Sequence, residues 1–476
     1  MTTNHRTILE CTLTAQTPIS VGGLGADAHS DIALAVNGKG ELYIPGTSLA
    51  GPLRDESNKD IWGYQDRTNQ RTRDAKGQAS RVIVRDGLIV NPSLEVREHV
   101  RISSTSGTAE DKLKFNRANL PKGTQIQVEI QLDTLDAADA EVDRLVGLLT
   151  SGTLRLGGAK TRGLGRVKAD AVKVTKGNLT TPEGLIEWLE VLRQRDKQED
   201  RAATIRTSGT APSRTRCFEP AWTPNGPLMV KAEIEGFAVD MVPEFSRTGA
   251  DEYRLVVPGS SWKGALRACA ELIVNTVKGW DPHDDAKPQA LSRAAPTKAA
   301  RSEPVMELFG FQSEREQKGN QGEGEGKRSR KGALHIDDVY SVETFTAIQV
   351  RALADAGSTE ALRGEIAPPD GGRKFTYAPH VAIDRWTSGP SEGALFSVLE
   401  PEMAWEKLHI EVPADLSDVA KGLLLVVWRE VMAGRVPIGA HVNRGMGQLG
   451  RVDPLNFSQE ERANAAEAWR NWCNDQ

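Results

Sequence analysis

Ile44-Pro45-Gly46-Thr47-Ser48-Leu49-Ala50-Gly51-Pro52-Leu53-Arg54 returns further along the chain as Val257-Pro258-Gly259-Ser260-Ser261-Trp262-Lys263-Gly264-Ala265-Leu266-Arg267. Each copy ends an apolar run at Pro-Gly, sets a Thr or Ser where a helix N-cap belongs, and closes a short segment on Arg. The pattern predicts a strand, a tight turn and a helix. A helix start offers unpaired backbone N–H groups and a positive dipole end, which suits a phosphate, and the Arg one turn on adds a charge-assisted contact. Taken singly, each copy also fits an ordinary strand-to-helix turn.

Other features recur in the same order around both copies. Trp62-Gly63-Tyr64 is answered by Phe309-Gly310-Phe311, and Arg81-Val82-Ile83-Val84-Arg85-Asp86 by Ala333-Leu334-His335-Ile336-Asp337-Asp338. His99-Val100-Arg101-Ile102 reappears as His380-Val381-Ala382-Ile383, and Thr105-Ser106-Gly107 with Glu110 as Thr387-Ser388-Gly389 with Glu392; both segments run on to a Phe, 115 and 396. Leu156-Gly157-Gly158-Ala159-Lys160-Thr161-Arg162-Gly163-Leu164-Gly165 matches Ile438-Gly439-Ala440-His441-Val442-Asn443-Arg444-Gly445-Met446-Gly447. This is a tandem duplication of one domain, with insertions in the second copy.

At 476 residues the chain is too long for one hydrophobic core and suits two domains. Hydrophobic content of 38% and charged content of 26% are those of a soluble globular protein. Cys11, Cys217, Cys269 and Cys473 stand far apart, so spacing signals neither a zinc knuckle nor a disulfide framework, and a reducing cytoplasm is the expected home. No signal peptide is visible, and the apolar run from Leu423 to Trp428 falls far short of a membrane span, so no membrane partner is expected. The net charge of −5 argues against whole-surface attraction to nucleic acid. Local basic runs remain, at Arg67, Arg71, Arg73, Lys76 and Arg81, and at Lys327, Arg328, Arg330 and Lys331, in corresponding loops of the two repeats.

Leu9 to Leu13 alternates as an opening strand, Gln125 to Leu132 alternates again, and Ala137 to Leu149 has helical spacing before the glycine segment. Strand, helix, strands, helix, strand describes a ferredoxin-like α+β domain. Pro182 opens a connecting helix with an apolar face of Leu185, Trp188, Leu189 and Leu192, and 196–225 reads as a linker. The expected boundaries are 1–170 for the first domain and 171–226 for the connecting helix and linker. The second domain follows at 227–455, with a first strand at 228–234 and polar, mobile insertions at 281–303 and 312–331. Residues 456–476 form a C-terminal helix with a Ser458/Glu461 capping box, whose Trp469 and Trp472 dock on the second domain.

With these motifs in hand, the chain resembles the RAMP superfamily, and more narrowly the backbone subunits of type III CRISPR effector complexes of Csm and Cmr type. The shared pattern is an opening strand, a Gly-Gly loop with an Asp, a Pro-Gly-Ser-Ser helix start, an aromatic-Gly pair, a His-containing insertion with Thr-Gly, and a closing Arg-Gly-x-Gly loop. Both halves match it, as in the fused backbone proteins of type III-D variants. The resemblance implies two tandem ferredoxin-like (RRM-like) domains with thumb hairpins at 99–115 and 380–396, wrapping a CRISPR RNA paired with complementary target RNA among other effector subunits. It places guide contacts on Ser48, Arg54, Lys160 and Arg162, and on Ser261, Lys263, Arg267, Asn443 and Arg444, with His99 and His380 in the thumbs. Arg and Lys neutralise phosphates, and glycine lets the backbone come close, so base pairing is left to choose the sequence.

Catalytic members of the family cut target RNA with an Asp in the loop before the Pro-Gly motif, in a reaction that needs Mg²⁺ or Mn²⁺. Asp31 holds that place, with Asp27 as its rival; Asp240 corresponds in the second copy, although the glycine loop that should precede it is missing, and Asp251 is a weaker substitute. A carboxylate there would ligate the metal near the scissile phosphate. The plainer readings are a loop Asp capping backbone N–H groups, and a subunit that holds guide and target but cuts nothing. A P-loop is excluded, since Ala159 interrupts Gly-Lys-Thr and a helix rather than a strand precedes it. His29, His99 and His380 would suit a metal-independent ribonuclease, but a single His at each place reads as a hydrogen-bonded structural residue.

Overall fold

Leu9, Leu13 and Ala15 of the first strand, β1 (His5–Ala15), turn into a core while Thr12 faces out. The computed structural model describes residues 3–23, 30–57, 59–65, 77–103, 108–135, 138–195, 203–210, 214–232, 236, 238–281, 298–311, 329–358, 360–362 and 375–475. It divides into two units. One comprises Met1–Arg97, Asn116–Lys160 and Leu164–Ser213, the other Glu98–Phe115, Thr161–Gly163 and Arg214–Gln476.

In the first unit α1 (Gly46–Glu56) follows β1, and β2 (Val82–Val84) and β3 (Gly87–Val90) come next; the chain then makes a hairpin, β4 (Glu95–Ile102) with β5 (Ala109–Asn119), whose residues Glu98–Phe115 count with the other unit. β6 (Gln125–Thr134), α2 (Asp139–Ser151) and β7 (Val167–Asn178) complete it. β1 is central, antiparallel to β7 on one side and β6 on the other, while β2 and β3 pair with the far edge of β6. That fourth-first-third-second order is ferredoxin-like, as expected. Leu49 and Leu53 of α1 and Val142, Leu145 and Leu149 of α2 share one core with β1, β6 and β7.

Two expectations are corrected here. α3 (Pro182–Arg195) buries Trp188 against Gly177, but Leu185 and Leu189 stay exposed. The stretch 196–225, read from composition as a linker, contains β8 (Ala203–Arg206) on the free edge of β7, and β9 (Thr215–Phe218) and β10 (Trp222–Pro224) of the second unit. Of the opening strand expected at 228–234, the described residues 228–232 form none, and 233–234 lie outside the described residues. The place of an opening strand is taken by β9 and β10, broken at Glu219-Pro220-Ala221, where the proline has no N–H to donate to a ladder.

The remaining elements restore the order of the first unit. α4 (Gly259–Lys278) is followed by β11 (His335–Ile336), a hairpin of β12 (Phe375–Ile383) and β13 (Pro390–Pro401), β14 (Ile410–Pro413), α5 (Asp418–Met432) and β15 (Leu449–Val452). β14 pairs with β9 and β11, and β10 pairs with β15. Trp262, Leu266, Leu423 and Trp428 fill this core. Of the expected insertions, 282–297 and 312–328 lie outside the described residues, whereas Ala299 and Ala300 are buried in the core. The C-terminal helix α6 (Gln459–Asn474) has the expected capping box, and Trp469 and Trp472 pack on the core. None of the described helices is long and apolar enough to cross a membrane.

The repeated motif does form a helix, but its cap differs from expectation. Pro45 and Pro258 take the N-cap position, and the first helical N–H is bound by a carboxylate of the chain itself: Gly46 N to Asp86 Oδ1 at 2.7 Å, Gly259 N to Asp338 Oδ1 at 2.8 Å. An acidic side chain at the positive end of the dipole thus takes the place expected for a phosphate. Asp86→Ala leaves the buried Gly46 N–H without this acceptor and is expected to destabilise the full chain by about 1–3 kcal/mol in urea unfolding, with Asp86→Asn losing less.

Candidate functional site: two equivalent aspartate loops

After β1 the chain is held by its own backbone. Gly158 N donates to Ser20 O at 2.8 Å, Ala35 N to Val21 O at 3.0 Å, and Gly23 N to Ala33 O at 3.0 Å. After β10 the same path recurs: Ala440 N to Met229 O at 2.8 Å, Glu244 N to Val230 O at 2.8 Å, and Ala232 N to Val242 O at 3.0 Å. Lys231 and Ala232 therefore follow the track of Gly22 and Gly23, and the missing glycine pair does not divert it. The glycine segments need glycine at Gly165 and Gly447, where a Cβ would stand 2.1 and 2.0 Å from Leu156 O and Ile438 O, and again where they pass the loop. Gly157 and Gly439 have φ of +75° and +95°, and a Cβ on either would stand 2.2 Å from the carbonyl oxygen of Ser20 or Met229.

These tracks deliver Asp31 and Asp240 to matching places. Ile32 bridges Arg117 in parallel, and Met241 bridges Val398. Asp31 N donates to Asn116 Oδ1 at 2.7 Å, and Asn116 N returns a bond to Asp31 Oδ2 at 2.9 Å. Asp240 N donates to Ser397 Oγ at 3.1 Å, while Ser397 N and Oγ donate to Asp240 Oδ2 at 2.6 and 2.9 Å. Both aspartates are exposed. Immediately before each partner is the phenylalanine that closes a hairpin: Phe115 stacks on His99 and Phe396 on His380, with ring centroids 5.1 Å apart in both. Asp27 and His29 lie outside the described residues, and Asp251 accepts a bond from Ala347 N at the start of another helix.

The profile of the RAMP superfamily matches residues 12–168 and 239–450. The chain belongs to the RAMP superfamily. No curated protein matches it by sequence. Membership carries the coarse role of a CRISPR-associated, RNA-binding subunit of the type III kind, and each matched region of this RAMP protein contains one aspartate loop.

The residues expected to touch RNA separate into two groups. On the 3₁₀ turns of the glycine loops, Arg162, Asn443 and Arg444 are exposed and Lys160 is half-buried. The motif-helix residues also make contacts within the fold, although Arg54 is exposed. Arg54 donates to Gly63 O at 3.1 Å and Arg267 to Gly310 O at 3.4 Å, so each arginine holds the glycine of its aromatic-Gly pair. Ser48 and Ser261 are half-buried in first turns. Lys263, 6% exposed, donates from Nζ to Leu334 O at 2.7 Å. The basic loop residues Arg67, Arg71, Arg73, Lys76, Lys327 and Arg328 lie outside the described residues.

One residue of this site was not singled out from the sequence. His441 has φ of +54°, as Ala159 has +52° in the first copy, so the pairing of the repeats gave no chemical signal there. In the second unit it stacks on Phe396 at 5.9 Å and lies 2.9 Å from Met241 Sδ, next to Asp240. Arg444 donates to His441 Nδ1 at 2.9 Å and sets its guanidinium 4.7 Å from the Phe396 centroid. Burial, with the positive charge of Arg444 adding, lowers the His441 pKa and favours a neutral ring.

Asp31 and Asp240 each offer hard carboxylate oxygen, which suits Mg²⁺ completed by phosphate and water. Among the described residues, the group of His, Cys and acidic side chains whose ligand atoms gather within 4.8 Å is a different one, Cys217, Glu219 and His409.

Burial, with the charges of Arg162, Arg267 and Lys331 adding, brings the Lys263 pKa from 10.5 down to about 7. The unfolded chain keeps this proton to a higher pH than the folded one, so charging Lys263 costs stability at and below neutral pH, and the cost fades as pH rises toward 10.5. Relative to Lys263→Met, the wild type is therefore expected to gain stability over that interval, read from paired denaturation curves.

Proposed function

We propose that this chain is a backbone subunit of a type III CRISPR effector complex that holds a CRISPR RNA guide in the cytoplasm and cuts the complementary RNA at Asp31, with Asp240 as a second cutting site. The observation that carries the reading is the repetition of the aspartate geometry. Two copies with different side-chain partners, Asn116 and Ser397, hold a carboxylate by the same reciprocal bond beside the base of a hairpin. Retaining a geometry while changing the atoms that make it fits selection for where the carboxylate sits.

The hairpins suit the role of thumbs. In the second, Asp384 accepts bonds from Trp386 N at 3.0 Å and Thr387 N at 2.8 Å, and this tight turn leaves Trp386 96% exposed. Val381, Ile383 and Leu395 add exposed apolar surface along the same hairpin. An outward indole on a braced turn is a stacking platform for a base. The exposed Arg162, Asn443 and Arg444 would meet backbone phosphates.

Mg²⁺ or Mn²⁺ held at Asp31 or Asp240 would stabilise negative charge developing on the scissile phosphate. The protein's part is to fix the carboxylate through Oδ2 and to keep the RNA extended, so that the 2′-hydroxyl beside that phosphate attacks in line and the 5′-oxygen leaves. A non-catalytic scaffold for guide and target is the second reading. It is favoured by the same hydrogen bonds, since each carboxylate already serves backbone N–H groups.

The guide-loaded complex, given end-labelled complementary RNA, is expected to make metal-dependent cuts that EDTA abolishes. Asp31→Ala should remove one cut and Asp240→Ala another, with RNA binding retained. Tight binding of RNA that stays intact in the wild type establishes the scaffold. Trp386→Ala is expected to weaken target-RNA binding by about 1–3 kcal/mol, measured by filter binding at fixed salt.

A further inference from the structure

The second unit holds a cluster that the RNA reading does not use. Cys217 lies in β9, Glu219 two residues on at the break in the strand, and His409 immediately before β14. Phe218 pairs with Ile410 in antiparallel register, so extending the ladder by one residue sets Glu219 opposite His409. Cys217 Sγ is 3.4 Å from His409 Nδ1, Glu219 Oε1 is 3.5 Å from the same nitrogen, and one ligand atom from each residue lies within 4.8 Å of the others.

We propose that Cys217, Glu219 and His409 bind a zinc-class transition-metal cation. Bond lengths of about 2.3 Å to sulfur and 2.0–2.2 Å to nitrogen and oxygen give tetrahedral edges of about 3.3–3.6 Å, which the two distances at Nδ1 match. The surroundings of the ring support the assignment independently. His409 Nε2 is 2.9 Å from Glu411 Oε1, and the buried Asp337 carboxylate is 4.0 Å away. A ring that donates Nε2–H to a carboxylate keeps the Nδ1 lone pair for a metal, the arrangement that orients zinc-bound histidines. Glu411 and Asp337 are 3% and 2% exposed, so a dication beside them offsets negative charge that burial makes costly.

Thiolate and imidazole select zinc over magnesium or calcium. Water would complete the sphere, and binding releases the thiol proton to solvent. The site would tie the end of β9 to the start of β14 just before Pro220. Its ligands are not those of the aspartate loop, so it stands whether or not the chain cuts RNA.

The test uses the full-length chain, stripped with chelator and titrated with Co²⁺ and then Zn²⁺. One equivalent of Co²⁺ is expected to produce a thiolate-to-cobalt charge-transfer band that Zn²⁺ abolishes, and Zn²⁺ should raise the thermal midpoint. Cys217→Ser and His409→Gln, each checked for folding by circular dichroism, should lose both responses. Glu411→Gln should weaken binding about 10–100-fold without changing stoichiometry. A folded wild type with no cobalt band, or a band that survives Cys217→Ser, overturns the assignment and leaves a Cys217 S–H to His409 hydrogen bond.

Discussion

The close passage of the glycine segment over the loop after the first strand holds each half of this protein together. Gly158 N and Ala440 N bond to Ser20 O and Met229 O, and the neighbouring Gly157 and Gly439 leave no room for a Cβ against those oxygens. This contact pins a loop that has little regular structure of its own. Once pinned, the loop runs beside the strand leaving the hairpin, and Asp31 and Asp240 arrive at Asn116 and Ser397. In each copy the aspartate loop is therefore held between the glycine segment and the strand that leaves the hairpin, although these come from distant parts of the sequence.

The two copies keep that framework and differ in what they attach to it. Where the first has Ala50 on the motif helix, the second has Lys263, buried and bonded to Leu334 O. Where the first has Ala159, the second has His441 against Phe396, with Arg444 over the same ring. The phenylalanine and the arginine have counterparts in Phe115 and Arg162, so the imidazole against Met241 is what the second copy adds. The second aspartate is thus placed like the first, with a different neighbour on its glycine loop.

Misreadings from sequence have local causes. Proline at 220 divides the opening strand of the second unit into two short runs, Thr215–Phe218 and Trp222–Pro224, too brief to show a period of two amid Thr, Ser and Pro. The motif helices looked like anion sites because their N–H groups are unpaired by anything nearby in sequence, yet Asp86 and Asp338 return from the following strand to occupy them. Arg54 and Arg267, expected at phosphates, each also hold a glycine carbonyl. Asp86 and Asp338 stand 40 and 79 residues from the helix starts that they cap.

The sequence by itself determined the duplication, the ferredoxin-like order and family membership, because apolar periodicity and glycine placement are local properties that repeat visibly. It also marked Asp31 and Asp240 as equivalent. Only the tertiary structure decided which charged groups face outward and which serve the fold, and that Cys217, Glu219 and His409 converge. Those outcomes depend on strand register and on long-range hydrogen bonds, which pair residues separated by up to hundreds of positions and leave no periodic trace in a single chain.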